Sequence, residues 1–246
     1  MKVEALPSPN FNDRRFPVDM MVLHYTGMET GQDALDRMRD AEAGVSAHYM
    51  IWEDGRVVQL VGEDKRAWHA GVSSWQGDED LNSRSIGIEI VNGGHDWPQH
   101  DGALPVYPDV QIKSVIDLCR SIRERWEIPQ SRIVGHSDIA PARKADPGEH
   151  FPWARLAAVG IGLCPDAVEP AMIAVLEPGE TGEAVAVLQA ALQQIGYGID
   201  VSATYDPVTQ AVIRAFQRRW VQDSVTGLAD ARTQSMIDLV NTAFRA

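Results

Sequence analysis

The sequence predicts an α/β fold, a mixed β-sheet flanked by helices, followed by a small all-α three-helix domain. Through residue 160, short apolar runs of β-type composition alternate with stretches of helical period, the pattern of helices packed on a mixed sheet. Beyond residue 181 only the helical period remains. A third observation separates the two parts chemically. All seven histidines fall in the first 150 residues, and the last 70 or so contain neither His nor Cys, so any transition-metal chemistry belongs to the N-terminal part. The expected division is an α/β domain over 1–160, a Gly- and Pro-rich connection over 161–180, and a helical unit over 181–246.

Taken in order, residues 7–17 are held extended by their prolines. VDMMVLHYT (18–26) is an apolar strand that ends on His24, and Gly27 breaks it. Thr30 can cap a helix over about 31–43 with Ala34, Leu35, Met38 and Ala41 on one face. SAHYMI and RVVQLV flank Asp54-Gly55, a strong hairpin signal. Residues 67–84 hold no period and read as a long loop, and long loops in compact domains are usually functional. SIGIEIVN (85–92) alternates Ile86, Ile88 and Ile90 against Gly87, Glu89 and Val91, which places a carboxylate on a face of small and apolar residues. A second loop, 93–108, leads to a helix over 109–126 with Ile112, Val115, Ile116, Cys119, Ile122 and Trp126 at spacings of three and four.

RIVGH (132–136) is the next strand, and FPWARLAAV a short helix. In the C-terminal part, Thr181 is expected to cap a helix burying Val185, Leu188, Leu192 and Ile195, with Gly196 as its stop. Asp206-Pro207 opens a second that buries Val212, Ile213, Phe216 and Trp220. Asp230 opens a third with Met236, Ile237 and Val240 inside.

The net charge of −13 argues against nucleic acid and anionic membrane surfaces as partners, since phosphates would meet no compensating charge. No run approaches a membrane span, and the first residues lack a signal-peptide core. A cytoplasmic protein is therefore expected, or a periplasmic one if a leader has been removed. Cys119 sits on the apolar face of its helix as a core residue; a bridge to Cys164 is the alternative.

The densest chemistry lies in RIVGHSDIAPARKADPG (132–148), where a strand leads to His136 and a loop carries Arg143, Lys144 and Asp146. A catalytic zinc takes three protein ligands and leaves one position open. His24 and His136, both at strand ends, and Asp146 are the candidates, although a lone strand-end histidine is more often a packed structural residue. Glu89 is the candidate general base, since an internal carboxylate is costly unless paired or working; a salt bridge to an arginine such as Arg84 is the alternative. Lys144 can stabilise a developing oxyanion or be a solvated loop lysine. His48 reads as packing, His69 beside Trp68 as a cleft-lining residue, and His95, His100 and His150 as surface.

VLHYT, SAHYMI with its EDG turn, AWHAG, SIGIEIVN and GHSDIAPARKADPG together resemble, in the correct order over about residues 5–155, the zinc-dependent N-acetylmuramoyl-L-alanine amidases of the type 2 (AmpD/AmiD-like) class. Phage-lysozyme amidases and peptidoglycan recognition proteins share that fold. The resemblance implies Zn2+ held by His24, His136 and Asp146, with Glu89 and Lys144 as acid/base and oxyanion residues. Arg143, with Trp68 and His69, would then face substrate. VLQAALQQIGY, YDPVTQAVIRAFQ and TGLADARTQSMI resemble the small peptidoglycan-binding domain. That likeness departs at VSATYDP, where Ser202, Ala203 and Tyr205 stand where glycines are commoner. The implied partners are peptidoglycan fragments or polymer, and the implied reaction cleaves N-acetylmuramic acid (or its 1,6-anhydro form) from L-alanine. A non-catalytic muropeptide-recognition protein is the rival reading; a complete ligand set counts against it.

Overall fold

A computed structural model describes residues 2–166, 169–170 and 172–245. In chain order the strands and helices of the N-terminal part are β1 (Val3–Ala5), β2 (Phe11–Asp13), β3 (Met20–Tyr25), α1 (Gly31–Arg39), β4 (Tyr49–Ile51), β5 (Val57–Gln59), β6 (Lys65–Ala67), α2 (Leu81–Arg84), β7 (Ser85–Ile90), α3 (Asp109–Arg125), β8 (Ile133–Gly135), α4 (His136–Ile139) and α5 (Trp153–Ala157). Three further helices follow, α6 (Glu183–Ile195), α7 (Pro207–Trp220) and α8 (Ala231–Arg245).

Six strands form one sheet in the order β1-β5-β4-β7-β3-β8. Only β4 and β5 pair antiparallel, as the Asp54-Gly55 turn requires; the other pairings are parallel. β2 and β6 make a separate antiparallel ribbon.

Side chains alternate across the central strands, and this alternation decides what lies on each face. Met21, Leu23, Ile86, Ile88, Ile90 and Ile133 pack against the apolar stripe of α3 and against Phe151, Trp153 and Leu156. Met20, Val22 and Val134 point the other way, into a cluster that contains Trp75, Leu81 and Ile139 together with the buried residues of α6, α7 and α8. The C-terminal helices therefore share one continuous core with the sheet. Beside them, Ala34, Leu35 and Met38 of α1 cover Met50, Val58, Leu60 and Val61.

Several local expectations change. α1 ends at Arg39, not at 43, with Thr30 capping it by accepting from the Asp33 amide. The stretch 67–84 is not all loop: it begins in β6 and ends in α2, and Asn82 ties it back by accepting from the amides of His69 and Ala70. Thr181 does not cap α6. The cap position falls on Gly182 at φ 120°, and Thr181 instead bridges to Thr204. Asp206 and Asp230 do accept from the Thr209 and Thr233 amides. Cys119 is buried and both cysteines are free. Among the described residues, no helix is long and apolar enough to cross a membrane.

Candidate active site

β3 and β7 run parallel with His24 directly beside Glu89, so the strand-end histidine and the internal carboxylate share a face by register. That face is the one opposite α3, because Ile86, Ile88 and Ile90 already commit the other. His136 follows β8, the strand on the far side of β3. It opens the one-turn helix α4, where a loop was expected, and Asp146 returns ten residues later so that its carbonyl accepts from the Ser137 amide at 2.9 Å.

The structure brings His24, His136 and Asp146 together. His24 Nδ1 lies 3.0 Å from His136 Nδ1 and 2.9 Å from Asp146 Oδ2, and His136 Nδ1 lies 3.1 Å from the same oxygen. All three residues are buried. Donors on a tetrahedral metal at about 2.0–2.1 Å are separated by roughly 3.3 Å, so this triangle fits one face of such a site and leaves the fourth direction free. Two ring nitrogens converging on one carboxylate oxygen, away from water, is a donor set that a divalent cation completes.

Hydrogen bonds around the triangle assign the tautomers. The Ser85 hydroxyl donates to Leu81 O at 2.5 Å, so its oxygen accepts from His69 Nε2 at 3.2 Å. His69 Nδ1 is then the acceptor for His24 Nε2 at 3.0 Å, which leaves His24 Nδ1 without a proton. His136 Nε2 donates to Ala70 O at 3.1 Å, which frees His136 Nδ1 in the same way. His69 thus has both ring nitrogens engaged while its ring still forms part of the cleft wall. Gly87 is what admits that ring: a Cβ there would lie 2.4 Å from the imidazole.

The triangle opens into a cleft of about 570 Å³ that Glu89, Lys144, Arg143 and Trp68 also line. Glu89 has no arginine partner; Arg84 instead pairs with Asp19 and Asp78. Its Oε2 is buried without a hydrogen bond. Burial drives its pKa well above the ordinary carboxylate value, Asp146 pushes the same way and Lys144 opposes. Burial likewise drives His24 down to about 4, helped by His136 and opposed by Asp146. Burial would raise Asp146, but the neighbouring His136 and His24 outweigh it and hold the carboxyl well below its usual range.

Arg143 donates to the carbonyls of Ala70 and Val72, clasping the loop that supplies the His136 acceptor. Trp68 is half-buried, its indole donating to Asn12 Oδ1 at 3.0 Å. His48 is fully buried, accepting from the Gly87 amide and donating to Lys65 O.

Of the histidines expected at the surface, His95 is exposed as expected and His150 is not. His95 lines the cleft and is joined to Tyr25 Oη at 3.0 Å and to Glu149 at 3.1 Å. His150 is half-buried, stacked on Tyr107 with ring centroids 4.9 Å apart. Neither carried a signal in the sequence beyond its polar neighbours. Tyr25 was the readable hint, since it follows His24 at the same strand end.

A buried His-His-Asp triangle, an unpaired carboxyl and an exposed lysine around one cleft are the constellation of metal-assisted hydrolases. The comparisons narrow the class. The N-acetylmuramoyl-L-alanine amidase family matches residues 14–149, and a peptidoglycan binding domain matches residues 181–237. N-acetylmuramoyl-L-alanine amidase AmiD of Escherichia coli K12 is 37% identical over 231 residues, which cover 90% of this chain and 81% of that one. Among solved structures, the complex of E. coli AmiD with anhydro-N-acetylmuramic acid-L-Ala-D-gamma-Glu-L-Lys superposes with a TM-score of 0.79 at 35% identity, over 92% of this chain and 90% of that one. AmpDh3 of Pseudomonas aeruginosa bound to an anhydromuramic pentapeptide gives 0.74 at 29% identity, over 92% of both chains. The chain belongs to the N-acetylmuramoyl-L-alanine amidase family.

Proposed function

We propose that this chain hydrolyses the amide between the lactyl group of N-acetylmuramic acid and L-alanine, with anhydro-muropeptides as substrates, and that His24, His136 and Asp146 hold zinc. The observation that carries the reading is the buried triangle facing the same cleft as Glu89 and Lys144. Two neutral imidazoles and one carboxylate are a donor set suited to zinc, with a position left for water or substrate. When bound, the metal supplies Lewis acidity to the scissile carbonyl and to water.

Every other role falls to the chain itself. Glu89, its carboxyl poised by burial to accept and release a proton, takes the proton of the attacking water and delivers it to the departing L-alanine nitrogen. Lys144 places positive charge beside the oxygen on which negative charge develops. Trp68 and Arg143 face substrate on the cleft wall. The relatives' bound anhydro-muramyl peptides support the substrate class. We further propose residues 1–160 as the catalytic unit, 161–180 as the connection and 181–246 as a peptidoglycan-binding-like unit, supported by the match over 181–237.

Glu89→Gln tests the reading. It is expected to keep full zinc content and to lower kcat on anhydro-muropeptide by about 10²–10⁴. Wild-type turnover in that variant would remove Glu89 from the chemistry. A zinc-loaded wild type that binds muropeptide without releasing peptide would be a recognition protein.

A further inference from the structure

The C-terminal helices reach the metal triangle through one buried ion pair. Asp138 sits in α4, two residues after His136, and Arg219 sits in α7; their side chains are each 1% exposed. Arg219 Nη1 donates to Asp138 Oδ2 at 2.7 Å, and its Nη2 donates to Ile133 O at 2.8 Å. Tyr197, just past α6, donates to Asp138 Oδ1 at 3.0 Å. Asp138 Oδ2 in turn accepts from the Gly135 amide at 2.8 Å. The guanidinium lies over the rings of both Trp153 and Trp220, 4.3 and 4.6 Å from their centroids.

These bonds bracket one metal-site residue. The chain just before His136 is gripped at Ile133 O by Arg219 and at Gly135 N by Asp138. Just after His136, the Ser137 amide is held by Asp146 O. The Ala70 carbonyl that sets the His136 tautomer lies on a loop also held from the C-terminal side, since the Gln76 amide donates to Gly196 O at 2.8 Å. If packing alone were required here, apolar side chains would serve as well. A buried ion pair gains little over them in stability, whereas it fixes one geometry of the backbone it binds. Donors that orient a metal ligand also set its affinity.

We propose that Arg219 and Tyr197 are positioning residues for the metal centre, acting through Asp138 to fix the backbone that presents His136. The C-terminal helices are then part of the catalytic device, whatever glycan they bind. This rests on the reading of His24, His136 and Asp146 as the zinc site.

The test measures zinc affinity of the full-length chain by competition with a chromophoric chelator, beside the melting temperature of the metal-free protein. Wild type is expected to bind one zinc and His136→Ala none; a wild type that takes no zinc removes the site, and the proposal with it. Tyr197→Phe, which deletes one hydroxyl, is expected to weaken zinc binding about 3–10-fold, and Arg219→Met with Asp138→Leu about 10–100-fold. Gln222→Ala is the control. It removes another bond to the N-terminal part, to Phe151 O, away from α4, and should change stability while leaving zinc affinity within twofold. Zinc affinity within twofold of wild type in Tyr197→Phe and in the double variant overturns the proposal. Should the double variant not fold, Tyr197→Phe decides alone.

Discussion

His24 is a strand residue whose chemistry is set by three other side chains. Ser85 orients His69, His69 holds the Nε2 proton of His24, and Nδ1 is left to face Asp146. Such burial has a pH signature. Burial first, with His136 beside it pushing the same way, brings His24 down to about 4, and burial, then Arg14, brings His48 to about 3. The unfolded chain takes up these protons near the ordinary value of 6.5 and the folded chain refuses them. Stability contributed by the neutral rings is therefore complete above about 6.5 and lost as pH falls toward the folded values, at roughly 1.4 kcal/mol per pH unit for each excluded proton. Glu89 runs the opposite way: with its pKa raised, its share is complete below the ordinary carboxylate value and lost as pH rises through its own titration. Melting temperatures of the metal-free protein, measured in chelator, should fall steeply from pH 6.5 to 4. A flat profile would contradict the buried-neutral assignment.

At the scale of the element, the most informative feature is the turn before α7. The sequence lacks the expected glycines there, and Ala203 adopts φ 58°, the left-handed region that a Cβ disfavours. The turn holds because the Ala203 amide donates to Gln189 Oε1 and its carbonyl accepts from the Gly182 amide. Ala203→Gly should raise stability by about 0.5–1 kcal/mol, read as a shift in denaturant midpoint with unchanged slope. The helices themselves were legible from the sequence: the inward residues named for α6, α7 and α8 are all buried. Arg219 was missed although its signal was present. It lies three residues after Phe216 and seven after Val212, on the apolar stripe, where a charge demands a partner.

Across the whole molecule, the sheet and the C-terminal helices cannot be parted without exposing a shared core. Trp75, fully buried, packs edge-on against Tyr197 at 5.1 Å between ring centroids, and Met20, Val22 and Val134 belong to the same cluster as Phe216 and Leu192. Unfolding should therefore be one transition. Far-UV circular dichroism and tryptophan fluorescence should report a single midpoint, and Phe216→Ala should lower the stability read by both probes by about 3–5 kcal/mol. Two separated midpoints would mean the parts melt independently. A docked helical unit also confines any glycan site there to one orientation relative to the cleft.

By itself the sequence determined the alternation of strands and helices, the change to helices alone, and the residues His24, Glu89, His136, Lys144 and Asp146 as those worth bringing together. The alternation and the change of period are local facts, carried by spacing, turn chemistry and residue type; that those five residues act together was implied by the resemblance of the motifs that carry them. Only the tertiary structure decided that His24 lies beside Glu89, that Arg84 is engaged elsewhere, that His69 sets a tautomer, and that Arg219 reaches across 81 residues to Asp138. The reason is physical. Strand register and buried hydrogen bonds join residues whose separation along the chain is arbitrary, and no local pattern encodes which buried donor will meet which acceptor.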